Sequence, residues 1–441
     1  MMIFRTIVAR SVFAFPHLVK SRSKLACRCL SDHGPHRNSD SVKKAKEHKE
    51  DLSRQLAARI RMMGPIPVAE YMREALTHPT LGYYTTRSEV FGKTGDFVTS
   101  PEISQLFGEM VGVWCLNEWR KVGSPKPVQI VELGPGTGSL AEDILKVWCH
   151  LEGNDVTLRL VEISQSLIKR QAQRLCGENV ALEKIPPEGL KTSRGDVPVQ
   201  WYSAVDDVPV DSFTIFLAHE FLDALPIHKF QFTEDGWREV LVDTTKDSSP
   251  ETPKFRFVIS RNETPASKIF LKNGIVGRQP GVVREVSPAA LALGYQLATR
   301  IEEDGGFVLI ADYGHLGEKG DTLRAFSNHK LHDPLENPGK ADLTADVDFR
   351  RLQDEVGEKA LTIGPVPQQL FLQNMGIDIR LEALKKSCSS EKEVKWIEAG
   401  YRMLTDPTQM GERFKFFALF PCVLREFLHK FPVAGFPPQR M

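Results

Sequence analysis

Three glycines spaced two residues apart form the segment of this chain best suited to bind a small molecule. Gly134, Gly136 and Gly138 follow an apolar stretch, residues 128–133, that predicts a buried β-strand. A glycine run directly after a strand allows a tight turn and lets the backbone approach a ligand without interference from Cβ atoms. Residues 139–149 have a helical pattern, so the run joins a strand to a helix.

The spacing of these glycines argues against a phosphate-binding loop. A dinucleotide fingerprint needs a third glycine at position 139, where this chain has Ser139, and the Gly-Lys-Ser or Gly-Lys-Thr end of a P-loop is absent. The tighter glycine run, preceded by the acid Glu132, suits a ligand that lacks phosphates and carries an amino acid end. S-adenosylmethionine is such a ligand, and its ammonium can bind loop carbonyls or Glu132.

A second carboxylate supports this interpretation. Glu162 lies at the end of residues 157–163, which predict the next parallel strand, and a helical pattern follows over residues 164–175. A carboxylate at this strand end can accept hydrogen bonds from both ribose hydroxyls of a nucleoside. The predicted cofactor site therefore comprises Glu132, the three glycines and Glu162. The alternative is a glycine-rich turn that binds nothing.

Two acids and a histidine follow the next apolar strand, residues 213–218. His219, Glu220 and Asp223 come at its carboxyl end, where open α/β sheets bind ligands. Glu220 and Asp223 suit a guanidinium, whose planar fork matches carboxylate oxygens, and Asp223 or His219 could accept its proton. In the structural alternative, Asp223 caps a helix, Glu220 pairs with an arginine and neighbours hold His219.

Asp312 ends a later apolar strand, residues 307–311, and is expected to face the same crevice. A plain turn would also explain the segment Asp312-Tyr313-Gly314. His329 and His332 follow in a polar stretch, but no third ligand has a convincing spacing. The seven cysteines are scattered without metal or redox spacing. We therefore predict no metal.

Composition excludes several classes of function. Lys+Arg and Asp+Glu each number 57, so the formal net charge is zero. The overall charge therefore does not indicate a nucleic-acid partner. No stretch of eighteen apolar residues occurs, which argues against stable membrane insertion. The first 31 residues carry six basic residues and no acid, which is typical of a mitochondrial presequence. We predict a transit peptide over residues 1–46, with a disordered basic tail as the alternative.

The order of predicted elements indicates an α/β fold with a Rossmann-like sheet. The predicted regions are an N-terminal helical segment (residues 47–125), the sheet domain (residues 126–350) with an antiparallel β insertion at about 228–285, and a helical C-terminal region (residues 351–441). Two details can be tested directly. One helix is expected from Ser100, as its N-cap, to about Val122, and another helical pattern covers residues 409–419.

Several of these segments together resemble a known family. They are Gly82-Tyr83-Tyr84, Gly95-Asp-Phe-Val-Thr-Ser-Pro-Glu-Ile-Ser104, Glu132-Leu-Gly-Pro-Gly-Thr-Gly138, Glu220-Phe-Leu-Asp-Ala-Leu-Pro226, Asp312-Tyr-Gly314, Asp333-Pro-Leu335 and Gly411-Glu-Arg-Phe414. The chain is similar, over nearly its whole length after the presequence, to the MidA-type S-adenosylmethionine-dependent methyltransferases. Mitochondrial members of that family are complex I assembly factors.

The resemblance implies a class I methyltransferase sheet, S-adenosylmethionine as co-substrate and methylation of protein arginine. For mitochondrial members it implies symmetric dimethylation of a core matrix-arm subunit of complex I (NADH dehydrogenase) in the mitochondrial matrix. Protein arginine methyltransferases keep two glutamates in a loop near the position of Glu220, whereas here the second acid, Asp223, follows after only three residues. The competing interpretations are a non-catalytic assembly chaperone and a nicotinamide dehydrogenase, the latter disfavoured by Ser139.

Overall fold

The computed structural model describes residues 51–86, 99–177, 186, 188–250, 252–271, 279–327 and 330–438. From Leu52 onward these residues form one compact unit. The predicted transit peptide, residues 95–98 of the segment Gly95 to Ser104, and His329 lie outside the described residues. Within the described ranges, no helix is long and apolar enough to cross a membrane.

The helices are α1 (Leu52–Met63), α2 (Val68–Thr77), α3 (Tyr83–Thr86), α4 (Ser100–Ile103), α5 (Gln105–Lys121), α6 (Ser139–Leu151), α7 (Gln165–Cys176), α8 (Pro265–Phe270), α9 (Pro288–Asp304), α10 (Phe349–Val356), α11 (Gln368–Asn374), α12 (Ile377–Ser387), α13 (Glu391–Thr405) and α14 (Arg425–Lys430).

The strands are β1 (Ile66–Pro67), β2 (Val128–Leu133), β3 (Thr157–Val161), β4 (Leu190–Lys191), β5 (Pro198–Tyr202), β6 (Phe213–His219), β7 (His228–Thr233), β8 (Gly236–Thr244), β9 (Phe255–Ile259), β10 (Val283–Val286), β11 (Gly306–His315), β12 (Arg324–Ser327), β13 (Lys330–His332), β14 (Asp342–Thr344), β15 (Val347–Asp348), β16 (Leu361–Pro367) and β17 (Phe414–Phe420).

The main sheet has the strand order β16-β17-β11-β6-β2-β3-β5-β4. Strands β11, β6, β2, β3 and β5 are mutually parallel, whereas β17 runs antiparallel between β11 and β16. The predicted Rossmann-like sheet is therefore confirmed. In this order the carboxyl ends of β2, β3, β6 and β11 lie at one edge, which brings the predicted site residues together.

The central strands are buried on both faces. Successive residues of β2 belong to different hydrophobic clusters: Ile130 packs with α5 and α6, and Val131 packs with α9 and α10. Alternate side chains of a strand point to opposite faces, so a strand covered on both sides must be apolar throughout. This explains why the strands before each site residue appear in the sequence as continuous apolar runs.

The predicted β insertion is an antiparallel sheet of its own. Strands β7, β8, β9 and β10 pair in antiparallel fashion, and β1 from the N-terminal segment pairs with β8. Helices α1 and α2 share a hydrophobic cluster with this sheet and with β12 and β14. The N-terminal helical segment therefore packs beside the insertion, next to the strand ends of the main sheet.

The single helix predicted from Ser100 to about Val122 is wrong. Ser104 adopts an extended conformation with φ −159° and divides the segment into α4 and α5. The Ser104 hydroxyl accepts the backbone N–H of Leu106 and caps α5, while Thr99, not Ser100, precedes α4. A serine that can cap a helix competes with continuation of the preceding one, and here the cap prevails.

The helix predicted over residues 409–419 is also wrong, because Phe414–Phe420 is the antiparallel strand β17. This strand is rich in aromatic residues, and six of its seven residues are buried between two neighbouring strands. Aromatic side chains favour such a pleated, buried surface, and tertiary packing overrides a short helical pattern. The C-terminal region thus contributes β16 and β17 to the main sheet in addition to its helices.

Candidate active site

The glycine loop has a backbone that only glycine adopts easily. Gly134, Gly136 and Gly138 have φ values of +61°, +53° and +81°. A Cβ atom on Gly134 would lie 2.5 Å from the Phe221 ring, so this position has no room for a side chain. Gly138 is the N-cap of α6. The loop therefore exposes backbone groups at the start of a helix, as a close-fitting ligand site requires.

Glu132 lies in β2 directly before the loop and is 3% exposed. Its Oε2 atom has no hydrogen-bond partner among the described residues. Burial raises the pKa of Glu132 to about 8, although the backbone N–H of Ala141 acts in the opposite direction. A buried acceptor without a partner is energetically costly, and a ligand ammonium close to the loop would reduce that cost.

Glu162 follows β3 as predicted, at the edge of the sheet where the glycine loop lies. Its Oε1 accepts the backbone N–H groups of Ile163 and Ser164 at 2.9 and 2.8 Å. Burial raises its pKa to about 7. Gln171 joins it to the loop, since the same Nε2 donates to Gly136 O at 2.8 Å and to Glu162 Oε2 at 3.2 Å.

The segment 219–223, called the corner below, turns away from the sheet at the end of β6. The backbone N–H groups of Phe221, Leu222 and Asp223 all donate to Oδ2 of Asp312. Phe221 packs against Gly134, so the corner contacts the glycine loop directly. The structure thus brings the predicted acceptor residues next to the predicted cofactor loop.

Glu220 lies inside the corner, and its Oε1 accepts the backbone N–H of Ser100 at 3.3 Å. Among the described residues no arginine forms an ion pair with Glu220, so the structural alternative given for this residue is not observed. Burial raises its pKa well above the usual range, and the nearby Asp223 acts in the same direction. A cation bound beside Glu220 would favour its ionised form and lower this pKa.

Asp223 is 5% exposed and does not cap a helix. Burial raises its pKa to about 7, while the Arg324 guanidinium lowers it and Asp346 raises it. Arg324 itself forms an ion pair with Asp346 at 2.6 Å. Asp223 therefore titrates close to neutral pH, which is where a proton acceptor works best.

His219 lies between two aromatic rings, with ring centroids 4.8 Å from Phe107 and 6.4 Å from Phe414. Its Nε2 approaches Glu220 Oε1 at 3.4 Å but lacks the geometry of a hydrogen bond. Burial lowers the pKa of His219 to about 3, so the ring is neutral at physiological pH. As a base it is weaker than Asp223.

Two elements that the sequence did not connect with the site close it on the N-terminal side. In α4, Glu102 accepts a hydrogen bond from Thr137 of the glycine loop at 2.7 Å. In α3, the Tyr84 hydroxyl donates to Asp342 at 2.7 Å, and the Tyr84 carbonyl accepts from Ser164 at 2.8 Å. Tyr84 thus connects Ser164, which follows β3, with Asp342, whose charge acts on Glu220 of the corner. The only sequence signal for this role is that Tyr84 and Glu102 lie in two of the segments that carry the family resemblance.

The remaining candidate ligands lie apart from this arrangement. Nowhere in the described ranges do three or more His, Cys, Asp or Glu side chains group as metal ligands. His332 contacts the carbonyl of Glu336 on the protein surface.

Comparison with known proteins is consistent with this geometry. Residues 110–366 match the family model described as "Putative S-adenosyl-L-methionine-dependent methyltransferase". The "Protein arginine methyltransferase NDUFAF7 homolog, mitochondrial" of Drosophila melanogaster is 48% identical over 91% of this chain and 92% of its own length. The chain belongs to this methyltransferase family. S-adenosylmethionine is accordingly its co-substrate.

Two further relatives extend the comparison. The human "Protein arginine methyltransferase NDUFAF7, mitochondrial" is 46% identical over 84% of this chain and 83% of its own length. A crystal structure of a Burkholderia thailandensis protein bound to S-adenosyl-homocysteine has 26% identity and a TM-score of 0.70, covering 84% of this chain and 91% of that one. The fold expected of a class I methyltransferase is thereby confirmed.

The residues present fit S-adenosylmethionine. The glycine loop admits a ligand close to its backbone, Glu132 has an oxygen without a partner among the described residues, and the backbone N–H groups of Ile163 and Ser164 fix Glu162 at the end of β3. These side chains suit an ammonium and two ribose hydroxyls, respectively. Their individual roles in cofactor binding stay predictions.

Replacing Gly134 with alanine is expected to weaken S-adenosylmethionine binding at least about tenfold, because the new Cβ must displace Phe221 and strain the loop. Isothermal calorimetry measures this. Gly123→Ala is the matched control, since Gly123 also has a positive φ but nothing lies within 4 Å of its Cβ position. Unchanged affinity in a folded Gly134→Ala protein would refute the assignment of the loop.

Proposed function

We propose that this chain transfers methyl groups from S-adenosylmethionine to arginine side chains of a protein. The observation that carries the proposal is the corner, in which Glu220 and Asp223 are buried beside the cofactor loop and Phe221 touches Gly134. Two carboxylates in a dry site suit a guanidinium, and few other acceptors need both. The names of the Drosophila and human relatives support the same substrate class.

The proposed substrate is a core matrix-arm subunit of respiratory complex I, and the proposed product is symmetric dimethylarginine needed for complex I assembly. This finer statement rests on the resemblance to the MidA-type family. The proposed location is the mitochondrial matrix. The basic, acid-free first 31 residues and the word "mitochondrial" in the relatives' names support a mitochondrial location.

The cofactor supplies an activated methyl group, so the protein mainly has to hold the attacking nitrogen in line with it. Glu220, fixed through the N–H of Ser100, orients the guanidinium and keeps electron density on the attacking nitrogen. Asp223 accepts the proton that the nitrogen releases. His219 stays neutral and forms, with Phe107 and Phe414, an apolar wall that excludes water from the carboxylates.

Glu220→Gln is expected to lower the rate of arginine methylation about 100-fold while leaving the affinity for S-adenosylmethionine unchanged. The amide keeps the shape of the side chain but no longer offers the charge that a guanidinium needs. The measurement is mass spectrometry of arginine methylation in matrix-arm subunits, in cells lacking this protein and complemented with each variant. Glu391→Gln, at an exposed position of α13, is the control.

The same cells separate this proposal from the chaperone interpretation. If Glu220→Gln restores complex I assembly without any methylation, the protein assists assembly by binding alone. If it retains full methylation, the role given to Glu220 is wrong.

The pH dependence of turnover tests Asp223. The acid must be ionised to accept a proton, and its raised pKa is about 7, so kcat is expected to rise as the pH increases through 7 and to level off above 8. Asp223→Asn should remove this rise and lower kcat. A wild-type profile that is flat between pH 6 and 8, measured with S-adenosylmethionine saturating, would contradict the assignment.

A further inference from the structure

Asp312 follows the part of β11 that pairs with β6, and both of its carboxylate oxygens accept backbone N–H groups. Oδ2 accepts from Phe221, Leu222 and Asp223 at 3.2, 2.9 and 3.2 Å, and Oδ1 accepts from Tyr313 at 2.8 Å. A carboxylate oxygen has about two acceptor positions, so the three donors of the corner use the capacity of Oδ2, whereas Oδ1 has a single backbone donor. Asp312 is wholly buried. Its Oδ2 therefore has no free position for a guanidinium.

The backbone of the corner is held in an unfavourable conformation. Glu220 has φ +48°, in the left-handed region that residues with a Cβ rarely adopt. Its own N–H still donates to Ala311 O at 3.0 Å, as the last hydrogen bond between β6 and β11. The chain leaves the sheet immediately after this bond, and the next three N–H groups converge on Asp312. Strain of this kind persists only where surrounding contacts enforce it.

This conformation sends neighbouring side chains to different parts of the site. Glu220 faces the N-terminus of α4, Phe221 packs on Gly134 of the cofactor loop, and Asp223 is buried near Arg324. A regular continuation of β6 would place successive side chains on opposite faces of the sheet instead. The position of both acceptor carboxylates relative to the cofactor loop thus depends on the contacts of Asp312.

We propose that Asp312 is a positioning residue for methyl transfer, which acts by fixing the corner rather than by touching a substrate. Its carboxylate holds the backbone of residues 220–223 in the single conformation that places Glu220 and Asp223 beside the glycine loop. The proposal rests on the proposed function for the identity of the acceptor. The geometry of the corner can be tested without that function.

Asp312→Asn and Asp312→Ala are the test variants. Asparagine keeps one oxygen for the three N–H groups of the corner, whereas alanine keeps none. We expect kcat to fall roughly 10-fold to 100-fold in the asparagine variant and further in the alanine variant, with S-adenosylmethionine affinity within about threefold of wild type. Glu118→Gln is the matched control, because Glu118 is a fully buried carboxylate that accepts the backbone N–H of Ala434 outside the site.

Hydrogen exchange followed by mass spectrometry supplies a readout that needs no substrate. In Asp312→Asn the amides of residues 221–223 should exchange at least about tenfold faster, while those of β6 and β11 stay protected. Glu118→Gln should lower thermal stability without changing either the exchange of the corner or kcat. If wild type methylates no arginine, the proposed function fails, and the exchange rates still test the effect of Asp312 on the corner.

Three results would overturn the proposal. Equal, complete loss of turnover in the asparagine and alanine variants would make Asp312 an acid or base. A folded asparagine variant with wild-type kcat would reduce Asp312 to a structural role. Unchanged exchange at residues 221–223 would show that other contacts fix the corner. If the alanine variant does not fold, kcat and exchange of the asparagine variant decide the question.

Discussion

Four backbone N–H groups converge on the buried carboxylate of Asp312, and the arrangement of the active site depends on this interaction. A long side chain can rotate away from its partner, whereas a backbone N–H group moves only with the chain. The interaction therefore fixes the backbone of the corner. The strain at Glu220 is the cost of that fixation. The proposed donor loop and acceptor carboxylates are thereby held in one arrangement, which is what transfer of an already activated methyl group requires.

The two acids of the corner, Glu220 and Asp223, have different pKa values because their environments differ. Glu220 has its pKa raised well above the usual range by burial and by its neighbour Asp223. The pKa of Asp223 is raised only to about 7, because Arg324 offsets part of the burial effect. Environments that separate the pKa values of neighbouring carboxylates allow one to bind a cation and the other to exchange protons near neutral pH.

Local patterns were enough to predict where the glycine loop and Glu162 lie in the fold. The glycine loop and Glu162 follow apolar strands, and strand ends in a parallel sheet lie together. The contacts of Ser100 with Glu220 and of Tyr84 with Asp342 span 120 and 258 positions, and no local pattern encodes such pairs. The strand β17 was mistaken for a helix because its pairing with β11 and β16, not its own period, decides its conformation.

A crystal structure with S-adenosyl-homocysteine and an arginine peptide tests the central claim most directly. The account predicts the guanidinium within about 2.7–3.2 Å of carboxylate oxygens of both Glu220 and Asp223. It also predicts Asp312 still bound to the backbone of residues 221–223 and Glu162 at the ribose. A guanidinium held elsewhere, with Glu220 and Asp223 unengaged, would contradict it.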